Sequence, residues 1–252
     1  MPTLFISDLH LDDTRPAIVQ TFLDFLAQDA RSATALYILG DLFETWIGDD
    51  DDAPLAAQVA DGIAALTRSG VPVYFVHGNR DFLLGETYAA RCGMTLLPEE
   101  SVHDIEGVST LVMHGDTLCT GDVEYQRFRA QSRDPAWQRA ILAQPLAARR
   151  ALAVHAREES ERHTQASMAA IMDVEPASVA TSLDRVHVRR LIHGHTHRRA
   201  VHAASGPGGH SERLVLGDWY DTASVLAVDR ISARFVDLKG DSRAGPLPRG
   251  AL

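Results

Sequence analysis

Cysteine is scarce in this chain: Cys92 and Cys119 are the only two among 252 residues. That excludes the dense, even cysteine set of a small secreted scaffold and points to a reducing, cytoplasmic compartment. Missing too is any run approaching about 18 consecutive apolar residues, so no segment reads as a membrane span. Met1 to Ser7 lack a basic stretch followed by a long apolar one, and no secretory leader is expected. Basic charge is in deficit, with 24 Lys and Arg against 34 Asp and Glu and a formal net charge of -10. A general duplex-binding surface needs a basic footprint, so nucleic acid is not an expected partner. Nothing marks an obligate protein partner, an internal repeat or a low-complexity tract. Against these absences stands a hydrophobic content of 45%, enough for a substantial core in one domain with an inserted subdomain.

What the sequence does hold is a series of short apolar runs that each break into residues able to bind metal. Thr3 to Ile6 reads as a strand followed by Ser7-Asp8-Leu9-His10, in which Asp8 and His10 share one side of an extended segment. Alone, that pair reads more simply as an N-cap aspartate and a solvent histidine. Ala35 to Leu39 leads into Gly40-Asp41-Leu42-Phe43-Glu44, placing Asp41 at a strand end, where doubly wound sheets hold their ligands. Its two carboxylate oxygens make Asp41 the candidate bridge between two cations. Val71 to Val76 runs into His77-Gly78-Asn79-Arg80-Asp81, where Asn79 offers a neutral oxygen and Arg80 a fixed charge shaped to grip phosphate oxygens. Val108 to Met113 ends in His114-Gly115-Asp116, and Leu191-Ile192-His193 ends in Gly194-His195-Thr196-His197. Neutral imidazole is the commonest metal ligand among side chains. Helices are predicted from about Ile18 to Asp29, Pro54 to Ser69 and Leu84 to Cys92, a β segment at Met94 to Leu97, and a hairpin over Ser101 to Met113 turning at Glu106-Gly107. The acidic run Asp49 to Asp52 reads as a dipole complement to the helix that starts at Pro54.

Between His114 and Val188 the alternation of strand and helix stops. A helical cap over residues 122–184 is expected to interrupt a core formed by residues 1–121 and 185–239, with 240–252 a mobile tail containing Pro246 and Pro248. Pro135, Pro145 and Pro176 each suit a helix start. Leu142, Leu146, Leu152, Val154, Met168, Ile171 and Met172 supply packing surface, while Arg127, Arg129, Arg133, Arg139, Arg149, Arg150, Arg157 and Arg162 make the segment basic within an acidic protein. Such a cap suits a substrate that joins phosphates to acyl chains, or an anionic membrane face. A solvated helix whose arginines pair with Glu158, Glu159 and Glu161 fits the composition nearly as well. Ser160, Thr164 and Ser167 fall on one helical face. After His197, segments near 200–202, 213–216, 224–229 and 234–238 read as closing strands of a second sheet, with Ser205 to Ser211 an exposed loop.

The ordered set D-x-H, G-D-x-x-E, G-N-x-D, H-G-D and G-H-x-H resembles the calcineurin-like metallophosphoesterase superfamily. That resemblance implies an α/β fold, a two-sheet β sandwich flanked by helices and carrying an inserted helical cap, around two divalent metal ions. It puts Asp8, His10, Asp41 and His197 on one ion and Asp41, Asn79, His114 and His195 on the other. Manganese is the family-level expectation, and the mixture of oxygen and imidazole also permits iron or zinc. The superfamily's commonest pattern has histidine after the G-N asparagine, where this chain has Arg80. Arginine gives up no proton near neutrality, so a leaving alkoxide would lack its acid. A leaving phosphate, with a second pKa of about 6, departs as an anion. The exchange therefore favours cleavage of a phosphoanhydride over an alkyl phosphomonoester.

The longer motifs Trp46 to Asp50, Gly78 to Asp81, Ile171 to Val174, His193 to His197 and Leu216 to Trp219 resemble a narrower family, the UDP-sugar-lipid diphosphatases of the lipid A pathway. This implies hydrolysis of a UDP-linked diacylated glucosamine by a cytoplasmic enzyme held peripherally at the anionic face of the inner membrane. It also implies Asp41, Arg80 and His195 as catalytic groups and Asn79, Arg80, Asp122, Ser160, Thr164, Ser167 and His195 as substrate contacts. That family has asparagine and lysine where this chain has Thr164 and Ser167. A hydrolase of another nucleotide-linked substrate would keep the metal set without needing an acyl chamber, and a non-catalytic scaffold would need neither.

Overall fold

The computed structural model describes residues 1–166, 173–220 and 222–238, without the side chains of 159–161 and 163–166. β1 (Thr3–Ile6), β2 (Ala35–Ile38), β3 (Val73–Phe75) and β4 (Thr95–Leu96) run parallel in one sheet. They are joined by the crossover helices α1 (Pro16–Ala27), α2 (Pro54–Arg68) and α3 (Glu86–Cys92). A hairpin of β5 (Glu100–Ile105) and β6 (Val108–Met113) opens the second sheet. The helices α4 (Val123–Ser132), α5 (Pro135–Leu142), α6 (Leu146–Ala166) and α7 (Pro176–Val186) come next, before β7 (Arg190–His193) lies parallel to β6. β8 (Ala200–Gly206) and β9 (Gly209–Val215) complete this five-stranded sheet in the order β5-β6-β7-β9-β8. β10 (Ala223–Val228) and β11 (Ala233–Leu238) return to the first sheet, whose order is β11-β10-β1-β2-β3-β4.

Three apolar layers follow from the alternation of side chains along the strands. Leu4, Ile6, Leu36 and Ile38 face α1 and α2, together with Val19, Phe22, Phe25, Val59 and Ile63. Their neighbours Phe5, Tyr37 and Leu39 point the other way and meet Val112, Ile192 and Leu214 between the two sheets. Leu111, Met113 and Leu191 cover the far side of the second sheet beneath Val179 and Leu183 of α7. Central strands buried on both faces read as unbroken apolar runs, which is why β1 and β2 were visible in the sequence.

Three expectations need correcting. Residues 205–211, expected as an exposed loop, are the turn ends of strands β8 and β9, whose register runs to Gly206 opposite Gly209, although 208–210 are indeed exposed. The glycines and proline that signalled a loop make only the tight turn. Segments 224–229 and 234–238 belong to the first sheet and not the second, because β10 pairs antiparallel with β1. The acids 49–52 make no side-chain cap bond to α2, and the side-chain contacts they do make lie elsewhere. Asp49 instead accepts from the backbone N–H groups of Gly85 and Tyr88 at the start of α3. Asp50 pairs with Arg149, and Asp51 and Asp52 with Arg150, tying α6 to the core. Cys92 and Cys119 are buried and unbridged.

Candidate metal centre

Every predicted metal ligand sits just past the carboxyl end of a strand, and the loops that carry them are laced together. Asp8 N donates to Gly40 O at 3.1 Å and His10 N to Asp41 O at 2.9 Å, joining the β1 and β2 loops. Gly194 N donates to His114 O at 2.8 Å, joining those of β6 and β7. Across the sheets, His195 N donates to Asp8 Oδ2 at 3.0 Å. Asp81, fully buried, accepts from Leu42 N at 2.7 Å and Gly78 N at 2.8 Å and so holds the β2 and β3 loops in register. Burial and the neighbouring Asp41 push its carboxyl up to about 6.

Asp8, His10, Asp41, Asn79, His114, His195 and His197 thereby converge. Ligand atoms of Asp8, His10 and His197 lie within 4.8 Å of one another, as do those of Asp8, Asp41 and His114. Asp41 stands between two histidine groups, with Oδ2 3.8 Å from His10 Nε2 and Oδ1 3.9 Å from His114 Nε2. Asn79 Oδ1 lies 2.9 Å from both His114 Nε2 and His195 Nδ1.

The groups that face these rings decide what the centre can hold. His114 donates Nδ1–H to Leu39 O at 2.8 Å, which leaves Nε2 a bare lone pair aimed at the Asn79 carbonyl oxygen. His10 turns Nδ1 toward Glu44 Oε2 at 3.3 Å, and His197 turns Nδ1 toward Asp218 Oδ2 at 3.2 Å. In the tautomers those carboxylates favour, two bare Nε2 atoms face each other at 3.4 Å, with Asp8 Oδ1 also 3.4 Å from that of His197. Lone pairs pointed at one another across such gaps repel unless a cation or proton lies between them, and a mix of carboxylate, amide and imidazole donors suits divalent transition metals. The residues present therefore fit a pair of divalent cations.

Electrostatics keep His10 and His195 neutral, as ligands must be, and put a proton on His197 in the place a cation would take. Burial alone would raise the Asp8 carboxyl, but His197, His114 and His10 outweigh it and hold it well below the usual carboxylate range. Burial, opposed by Asp41 and Asp8, pushes His10 down to about 4, and burial beside His114 does the same to His195. Burial also disfavours charge on His197, yet its bonds to Asp218 and Asp8 prevail and raise it to about 10.

The other predicted site residues fall as follows. Arg80 lies beside the cluster, its backbone N–H donating to Asp41 Oδ1 at 2.9 Å. Asp122 is buried and caps α4 by accepting from Tyr125 N at 3.0 Å. The side chains of Ser160 and Thr164, and all of Ser167, lie outside the described residues. Sequence reading gave no role to Glu44 or Asp218, although the G-D-x-x-E and L-G-D-W motifs contain them. A carboxylate facing the remote nitrogen of a ligand histidine is the signal that finds both. It missed Tyr220, which stacks on His10 at 5.2 Å between ring centres and lies under the Arg15 guanidinium. Tyr125 was missed too: its hydroxyl donates to the buried Asp116 at 2.6 Å, and its ring lies 5.8 Å from that of His195.

Comparison with known proteins places this geometry. A family model described as calcineurin-like phosphoesterase matches residues 1–199. A UDP-2,3-diacylglucosamine hydrolase of Xanthomonas oryzae pv. oryzae is 54% identical over 236 residues, covering 91% of this chain and 96% of the relative. A hydrolase of the same name from Stenotrophomonas maltophilia is 54% identical over 91% of this chain and 95% of its own length. One from Xanthomonas axonopodis pv. citri is 53% identical over 94% of this chain and 99% of its own.

Proposed function

The chain belongs to the calcineurin-like phosphoesterase family, and from that premise we propose that it hydrolyses the pyrophosphate bond of UDP-2,3-diacylglucosamine. The products are UMP and 2,3-diacylglucosamine 1-phosphate, on the route to lipid A. The observation that carries this reading is the 54% identity with UDP-2,3-diacylglucosamine hydrolases across nearly the full length of both chains, joined to a cluster of seven ligand groups of the kind such chemistry needs.

Asp8, His10, Asp41 and His197 would hold one cation and Asp41, Asn79, His114 and His195 the second, with manganese the expected ion. Asp41 is the proposed bridge because its two oxygens face different histidine groups. Bound there, two divalent cations supply Lewis acidity and lower the pKa of the attacking water. The chain's own groups do the rest. Arg80, whose backbone N–H bonds Asp41 beside the cluster, would neutralise charge growing on the phosphoryl oxygens, an electrostatic contribution of about 3 kcal/mol for one donor in comparable sites. His195, anchored through its N–H to Asp8, shares that role from the opposite sheet. Water adds to the α-phosphorus in line, its proton passes to solvent, and the bond to the bridging oxygen breaks. The sugar phosphate departs as an anion, so no acid is required where other family members carry histidine.

Asn79, Asp122, Ser160, Thr164 and Ser167 are the proposed further substrate contacts. The segment 122–184 is the proposed cap, of which α7 packs on the second sheet. Val123, Phe128, Leu142, Leu152 and Val154 are exposed apolar residues along it, and Arg127 and Arg139 are exposed as well. That mixture supports acyl-chain binding and peripheral contact with the anionic cytoplasmic face of the inner membrane. No helix of the described residues is long and apolar enough to cross a membrane.

The test is release of UMP from UDP-2,3-diacylglucosamine with added Mn2+, set against the deacylated UDP-sugar and a CDP-alcohol. Preference for the acylated substrate by about a hundredfold in kcat/KM is expected, and abolition by EDTA. D41A should lose both activity and binding of the second cation; equal turnover of the deacylated sugar, or two cations retained by D41A, would overturn the assignment.

A further inference from the structure

We propose that Glu44 is a positioning residue that couples the seating of α6 to the cation affinity of the His10 side of the centre. The inference rests on reading that centre as a cation site. Glu44 lies in the loop after β2, and its backbone N–H is tied to Leu11 O at 3.1 Å. One carboxylate oxygen, Oε2, faces His10 Nδ1 at 3.3 Å, and the other, Oε1, is paired with the guanidinium of Arg157 on α6. The side chain is 14% exposed, so it is held in a place where it has few other partners.

The physical consequence runs along this line of contacts. A histidine ligand is oriented, and made more basic, by what its remote nitrogen meets. The Tyr220 ring stacked on His10 limits its tilt, which leaves rotation in the ring plane to be set by Glu44. A glutamate carboxylate can swing to water, and the grip of Arg157 on the far oxygen stops it. Loss of that grip, with α6 still seated by the buried Arg149, therefore frees Glu44 and relaxes His10. Linkage is reciprocal, so a cation at His10 should also steady α6. The cap helix carries its own control: Arg149 and Arg150 bind it to Asp50, Asp51 and Asp52, none of which touches a ligand histidine among the described contacts.

The experiment uses the full chain with Mn2+ as the probe. Calorimetry gives the dissociation constants for the wild type, E44Q, R157M, the E44Q/R157M double variant and R150M. Amide exchange over residues 146–158 is followed with and without Mn2+. E44Q and R157M should each weaken one Mn2+ about tenfold, within the range seen for such outer partners, and the double variant should be no weaker than E44Q alone. R150M should stay within twofold of wild type. Mn2+ should slow exchange over 146–158 in the wild type and R150M but not in R157M. Unchanged Mn2+ affinity in R157M, or an equal loss in R150M, would overturn the coupling. A wild type that binds no Mn2+ would instead overturn the metal reading on which it rests.

Discussion

Asp8, His10, Asp41, His195 and His197 all stand on left-handed backbone, with φ between 50° and 68°. A residue with a Cβ pays roughly 1–2 kcal/mol for that conformation, so five of them together mark a site held in place by its surroundings. Part of that hold is close approach: a Cβ on Gly78 would come within 2.1 Å of Asp41 Oδ1 and 2.3 Å of Asp41 N. Gly78→Ala must therefore displace Asp41 or the β3 loop. A loss of about 3 kcal/mol in urea unfolding is expected, the upper end for overpacking, together with loss of activity. Gly107→Ala is the comparison, since its positive φ gives backbone strain while a Cβ there meets nothing within 4 Å; equal destabilisation of the two would sink the argument. The ligands themselves were legible because each follows an apolar run at a strand end. Glu44, Asp218 and Tyr220 were given no role, because they act on ligand rings distant along the chain and only the fold shows which ring each one meets.

The tie between α6 and the core is where element-scale reading failed and the structure supplied the answer. In sequence, Asp49 to Asp52 precede a helix and look like its electrostatic complement, and the arginines beyond 146 look like a solvated face. Only the fold brings residues 99 positions apart together: Arg149 is buried and donates to Asp50, to Ile47 O and to Gln144 O at 3.0 Å. The same limit explains β10 and β11, since strand character is local but sheet membership is not. By contrast, parallel strands and their crossover helices are locally complete units, and β1 to β3 with α1 and α2 were read nearly in place. Arg149→Met keeps the stem and removes the donors. Hydrogen bonds to charged groups are worth about 1.5–3 kcal/mol each, so amide exchange over 146–158 should quicken at least tenfold while exchange in β1 and β2 stays unchanged. Exchange quickening equally in the core strands would show that Arg149 supports the whole fold and not the cap alone.

At the scale of the molecule, the centre lies between the two sheets and draws from both. The first sheet supplies Asp8, His10, Asp41 and Asn79, and the second supplies His114, His195 and His197. Direct bonds cross this gap, such as His195 N to Asp8, and His10 and His197 face each other across it at 3.4 Å, so a cation seated there bridges groups from both sheets. Cations that bind only the folded arrangement add about 2.7 kcal/mol when present at a hundredfold excess over the dissociation constant. For a chain of this size, about 2–4 °C of melting temperature per kcal/mol converts that into a shift of roughly 5–10 °C. EDTA should lower the melting temperature by that amount, and Mn2+ should restore it. Because the clamp needs both sheets, D41A on one side and H195A on the other should each forfeit most of the Mn2+-induced rise, whatever their melting temperatures without metal. A full rise in both variants would mean that the gain does not come from a centre shared between the sheets, and the two sheets would then owe their union to the apolar layer around Phe5, Tyr37, Val112 and Ile192.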